Sequence, residues 1–87
     1  MGASLSTAER RVLEAAHDAG GGHVPGPLTD VVRRMVGQLT GQEFRRAVAD
    51  LSERQLLRAS VATKVNGEVG QVVIVRITRL GRRAIGR

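Results

Sequence analysis

The chain has no cysteine, no tryptophan and no tyrosine, and it has a single phenylalanine, a single lysine and two prolines among 87 residues. Without cysteine there is no disulfide and no thiolate chemistry, which fits a reducing compartment and leads to the expectation of a cytoplasmic protein. A single aromatic residue argues against holding single-stranded nucleic acid by base stacking, and Val, Leu, Ile and Ala must fill the core. No apolar run approaches the length of a membrane span, so no membrane association is expected, and the opening residues do not read as a charged-then-apolar leader. Met-Gly-Ala-Ser-Leu-Ser loosely matches a myristoylation pattern, but Leu5 and Ser6 are better used to start a helix. His17 and His23 are the only histidines. They lack the companions a metal site needs, and no serine sits in a nucleophile motif, so neither an enzyme nor a cofactor is expected.

What is present is charge, unevenly placed. Residues 1–53 carry six arginines against seven acids, whereas residues 54–87 carry seven arginines and Lys64 against Glu68 alone. A basic half on a chain of this size favours a polyanionic partner. The excess of Arg over Lys matches the abundance of Ala, Gly and Val and carries no argument by itself, since a GC-rich codon habit produces the same composition. Eighty-seven residues suit one small domain with a modest core.

The chain is organised around residues 40–57. Thr40 and Glu43 have capping-box spacing, which starts a helix over about 41–54. Phe44, Val48, Leu51 and Gln55, with Ala47 beside them, form one stripe that faces a core. Gln42, Arg46, Ala49 and Glu53 point the other way, with Arg45 at the boundary. Upstream, Ser6 and Glu9 form a second capping box with Leu5 as a staple. That helix runs to about residue 19, with Leu5, Ala8, Val12, Ala16 and Ala19 inward and Leu13 and Ala15 flanking. The glycine-rich stretch over 20–27 reads as a connector rather than a phosphate cradle, because no Gly-Lys-Ser/Thr follows it; Val24 could add a short strand. Residues 28–36 form a short helix with Leu28, Val31, Val32 and Met35 inward and Arg33 and Arg34 outward. Gly37 ends it and Leu39 plugs the turn into Thr40. A short helix, a tight turn and a longer helix with a polar front is helix-turn-helix spacing.

Beyond Leu51 the period changes. Residues 56–65 are β-permissive, Asn66-Gly67 is a strong hairpin signal, and residues 71–77 are β-branched almost throughout. A two-residue loop at Asn66-Gly67 pairs Val61 with Val72 and Ala59 with Ile74, although apolar residues on both parities of the second strand leave the register open. Thr78 caps a final short helix whose Leu80, Ala84 and Ile85 can pack inward, while Arg79, Arg82 and Arg83 cannot all be buried.

Three helices, a β-hairpin and a short C-terminal helix are the order of an α+β winged helix-turn-helix domain, here over residues 1–87. The stretch from Leu51 to Leu57-Arg58, the hairpin, and the closing Ile77-Thr78-Arg79-Leu80-Gly81-Arg82 resemble the wing region of MarR- and PadR-type bacterial transcriptional regulators. The resemblance spans roughly residues 5–86 and is most specific at its closing run. Gln55 stands where those families carry a glycine before the leucine pair, and their Asp-x-Arg wing tip has no clear match. Neither the extra terminal helices of MarR-type proteins nor the helical tail of PadR-type proteins reads in this chain.

Function is then expected to be double-stranded DNA binding, as a small prokaryotic, phage or plasmid transcriptional regulator such as a repressor. Gln42, Arg45 and Arg46 would reach base edges or adjacent phosphates in the major groove, with Ala49 close to a thymine methyl. Lys64 and Asn66 at the wing tip would lie along the backbone, and Arg33 or Arg34, Arg58 and the terminal arginines would neutralise phosphates. So few base contacts per copy favour a homodimer on DNA. The alternative is a winged-helix module for protein–protein interaction, with the near-neutral first 53 residues as interface and Arg79 to Arg87 on an acidic partner. A third possibility is a DNA-binding module of a larger assembly.

Overall fold

A computed structural model describes residues 5–20, 28–63 and 69–86. Four helices and two strands follow in the order α1 (Thr7–Gly20), α2 (Thr29–Met35), α3 (Gly41–Glu53), β1 (Leu57–Thr63), β2 (Val69–Ile77) and α4 (Arg79–Ala84). The strands form an antiparallel hairpin. The architecture is therefore α+β, in the order expected from the hydrophobic periodicity.

Both capping boxes form. Ser6 N–H donates to Glu9 Oε1 at 2.8 Å while Glu9 N–H donates to Ser6 Oγ at 3.1 Å; Thr40 and Glu43 exchange the equivalent pair at 2.9 and 3.1 Å. These reciprocal bonds satisfy N–H groups that the first turn of a helix leaves without partners. Glu9 does more than cap. It is 8 % exposed, and its second oxygen receives Arg54 Nη1 at 3.2 Å. One carboxylate thus starts α1 and ties it to the end of α3.

The core is one cluster, with Val12, Leu13, Val32, Val48, Leu51, Leu57 and Ile74 essentially sealed from solvent. α1 and α3 bury most of the stripes expected of them, with Leu5 and Ala8 half-buried at the start of α1, and Leu13 and Ala15 prove to be full core members. α2 departs from expectation. Its inward line is Leu28, Val32 and Val36, spaced every four residues, while Met35 lies 49 % exposed. With only seven residues in α2, the flanking Leu28 and Val36 complete its apolar face, which rotates Met35 outward. The start of α2 also meets the sheet: Leu28 N–H donates to Ile74 O, and Ile74 N–H donates to Thr29 Oγ1, both at 2.8 Å. The two Ile74 backbone groups that β1 does not use are thereby satisfied.

The hairpin settles the open register. Ala59 faces Ile74 and Val61 faces Val72, as a two-residue loop would give, but the ladder slips at both ends, so that Thr63 faces Val69 and Arg58 faces Arg76. The slip near the base is a bulge at Val75. Val72 and Ile74 point inward, Val75 and Arg76 both point outward, and Ile77 returns to the core. Without the extra residue, strict alternation would turn Arg76 inward and Ile77 out. The turn at Asn66-Gly67, the tip residues Lys64 and Asn66, and the connector with Val24 and His23 lie outside the described residues.

Gln55 does not continue the α3 stripe. It is exposed and takes φ +61°, while Gln55 N–H donates to Ser52 O at 3.1 Å and Leu56 N–H to Leu51 O at 2.9 Å. This pair of bonds is a Schellman motif, and it requires a left-handed residue just past the helix, where glycine is cheapest. The Gln55 carbonyl accepts Thr78 Oγ1–H at 2.8 Å, and Thr78 Oγ1 accepts Gly81 N–H at 3.0 Å. Thr78 thus caps α4 and fastens it to the end of α3. Gly81 lies directly against this junction, since a Cβ there would collide with the Leu56 carbonyl oxygen and approach Ile77 Cγ1 to 2.8 Å. The inward face of α4 is therefore Gly81 and Ile85, not Leu80 and Ala84, both of which are exposed.

Two substitutions check this junction by urea unfolding followed by far-UV circular dichroism. Gln55→Gly is expected to stabilise the chain by about 0.5–1 kcal/mol, the relief of left-handed strain less the extra freedom of glycine when unfolded. Gly81→Ala is expected to destabilise it by about 2–3 kcal/mol, because the clash is with backbone that cannot rotate away.

Candidate nucleic-acid interface

α3 is positioned by its apolar face, formed by Phe44, Ala47, Val48 and Leu51. With those four directed inward, Gln42, Arg46, Ala49, Asp50 and Glu53 fall on the outward side, and Arg45 on its flank. Arg46 is exposed, whereas Gln42, Arg45 and Ala49 are half-buried. Asp50 and Glu53 occupy the C-terminal half of this face, and the exposed Glu43 in the first turn is engaged in capping Thr40 N–H, so the cationic and amide groups of Gln42, Arg45 and Arg46 lie in its first two turns.

The guanidinium of Arg45 folds back along the helix. Its Nη2 donates to Gln42 Oε1 over a long 3.4 Å, and Nη1 comes so near the first turn that a Cβ on Gly41 would lie 3.2 Å from it. Arg45 Nε is buried with no hydrogen-bond partner. A buried donor left unpaired costs about 1–3 kcal/mol, which an acceptor reached by an extended side chain would recover. Gln42 and Arg45 therefore occupy one another when nothing else is bound. Gly41 permits this folded-back arrangement because it has no side chain to occupy the space.

Of the α2 arginines, Arg33 lies with its Cζ 5.5 Å from the centroid of Phe44. It shields the edge of the core through a cation–π contact while half-buried. Arg34 is exposed on the same short helix. Arg58 is exposed at the base of the hairpin, opposite Arg76. From there to the last described residue of β1 is about 17 Å of extended strand. Ser52 Oγ–H donates to the neighbouring Ala59 O at 3.2 Å, which sets Arg58 beside the last turn of α3 and not beside its first turns. Arg76, Arg79 and Arg82 stand with Arg58 around one groove. Sequence reasoning did not bring these four together, because the pairing of Arg58 with Arg76 depends on the Val75 bulge. Arg54 is half-buried and bonded to Glu9. That pair removes one charge from the excess counted over residues 54–87.

Glu43, at the start of α3, is the carboxylate with a distinct acidity. Its hydrogen bonds from the Thr40 backbone N–H and then from the Thr40 side chain hold its pKa below the ordinary carboxylate value. A depressed carboxylate stabilises the fold above its unfolded pKa, and that contribution disappears as the pH falls through the lower folded value. The first turn of α3 is therefore expected to fray as the pH falls below the ordinary carboxylate range. Amide hydrogen exchange at residues 41–44 across the acid range would show it, and Glu43→Gln should flatten the pH dependence.

No family model, no curated protein and no solved structure matches this chain.

Proposed function

We propose that the chain is a winged helix-turn-helix domain that binds double-stranded DNA, as a small transcriptional regulator of a prokaryote, phage or plasmid. The observation that carries this is the composition of one helix face. α3 turns all its apolar residues inward and leaves Gln42, Arg45, Arg46 and Ala49 together on the outer side of its first turns, beyond a short helix and a tight turn. Arg and Gln match the major-groove edges of guanine and adenine, and a small residue at Ala49 allows close approach. The hairpin that follows α3 is of the length and position of a wing, and the net charge of +6 suits a phosphate backbone. Arg45 would exchange its long bond to Gln42 for a base or phosphate acceptor. Arg34 and the wing tip with Lys64 and Asn66 would add phosphate contacts, and a second copy would supply the other half-site.

A partner protein is the second reading. The exposed Val75 on β2 and Leu80 on α4 are the side chains such a partner would cover, since burying apolar surface is favourable.

Fluorescence anisotropy on a mixed-sequence duplex from about 50 to 300 mM salt decides between them. About five phosphate contacts give a slope of log K against log salt near −4 to −5. Arg46→Ala is expected to weaken binding by about 1–3 kcal/mol, the range for one arginine contact to a base. Absence of binding at the lowest salt would eliminate the DNA reading in favour of the partner protein.

A further inference from the structure

The strongest concentration of charge lies elsewhere than on the face of α3. A groove of about 550 Å3 runs between the end of α3, the base of the hairpin and the start of α4. Arg58, Arg76, Arg79 and Arg82 line it, together with the buried Leu57 and Ile77. Among the described residues no carboxylate lines this groove. The ion pairs among the described residues are Arg10 with Glu14 and Arg54 with Glu9, so none of the four groove arginines has a carboxylate partner there.

The arrangement costs the fold something. Arg58 and Arg76 stand directly opposite across the antiparallel pair, and like charges so placed repel. Arg79 and Arg82 are three residues apart on one face of α4 and add to the same field. The hydroxyls nearby do not relieve it: Ser52 Oγ–H donates to Ala59 O at 3.2 Å and Thr78 Oγ1–H to Gln55 O, so both are spent on the fold. What remains, among the described residues, are four arginines around one groove with no carboxylate beside them.

We propose that this groove is a binding site for phosphate esters carrying at least two negative charges. Guanidinium forks match phosphate oxygens in bidentate geometry, and a multiply charged anion would turn the repulsion between Arg58 and Arg76 into shared attraction. The half-buried Ala59 and the methylene stems of the arginines give the groove its apolar surface, which suits an organic ester better than a bare inorganic ion. Two sources present this chemistry, a free nucleoside polyphosphate and the sugar–phosphate backbone of a duplex. Along the α3 axis, Ser52 at the groove is about 15 Å from Gln42, so the site and the reading face of α3 can be tested separately.

The test is calorimetric titration at low salt with tripolyphosphate, ADP and a short mixed-sequence duplex, on the whole chain, with backbone amide resonances followed by NMR. Wild type is compared with Arg58→Gln/Arg76→Gln and with Arg46→Gln. The double variant removes a repulsive pair, so its thermal midpoint should be unchanged or raised. Tripolyphosphate is expected to shift amides of residues 58, 59 and 76–79. Its affinity should fall about tenfold or more in the double variant and stay unchanged in Arg46→Gln. ADP that binds with the same dependence, while duplex affinity is unaltered, identifies the free nucleotide as the source. Duplex affinity that falls in the double variant, with a salt slope smaller by about 2, identifies the backbone. Tripolyphosphate that does not bind, or that binds the double variant as tightly as wild type, overturns the proposal. Binding of tripolyphosphate without any binding of duplex would leave this site standing and eliminate the DNA reading instead.

Discussion

The hydrogen bond from Thr78 to the carbonyl of Gln55 is the constraint on which the C-terminal half depends. It joins the residue that ends α3 to the residue that starts α4, and Thr78 N–H reinforces it by donating to Leu56 O at 3.3 Å. For that joint to close, Gln55 must adopt a left-handed backbone and Gly81 must carry no side chain. Both ends of the hairpin emerge from this joint, so its geometry sets the direction in which the strands leave α3. The closing run from Ile77 to Arg82 is thereby accounted for by packing. Its threonine is a clasp and its glycine a point of close approach, and neither is positioned to act as a ligand.

A comparable economy operates where α1 and α2 pack against α3. Glu9 caps its own helix with one oxygen and holds Arg54 with the other, while Arg33 lies over Phe44. Two arginines that look like surface charge in the sequence are engaged in holding helices together. Charge counting by half-chain therefore overstates what is free to meet a ligand near α3. Among the described residues, two groups of cations stand out, the first turns of α3 with Arg34, and the base of the hairpin with the start of α4. That division matters for function, because a groove-reading helix and a cluster of phosphate-binding guanidiniums make different demands: the first needs side chains aimed at base edges, the second only converging positive charge.

The candidate reading face was legible because a helix obeys a fixed period. Once Phe44, Ala47, Val48 and Leu51 are assigned inward, the opposite face follows from 3.6 residues per turn, and Gln42, Arg46 and Ala49 need no tertiary information. The state of Arg45 was not legible. Its guanidinium is long and flexible, and whether it extends or folds onto Gln42 depends on what lies within reach. Short elements were the least legible, as Met35 and Leu80 show. A helix of one or two turns has too few residues for periodicity to choose its inner face, and its neighbours choose instead.

The sequence by itself determined the elements, their order and their starts, because capping boxes, apolar stripes and β-branched runs act over a few residues of chain. It offered the central pairing of Ala59 with Ile74 and Val61 with Val72 as one register, and the structure selected it. Only the tertiary structure decided the bulge at Val75, the pairing of Arg58 with Arg76, the burial of Glu9 against Arg54 and the inward turn of Gly81. Each of these is an agreement between residues distant along the chain, reached by packing Ile77 into the core and α4 against Leu56, and no local pattern encodes that agreement.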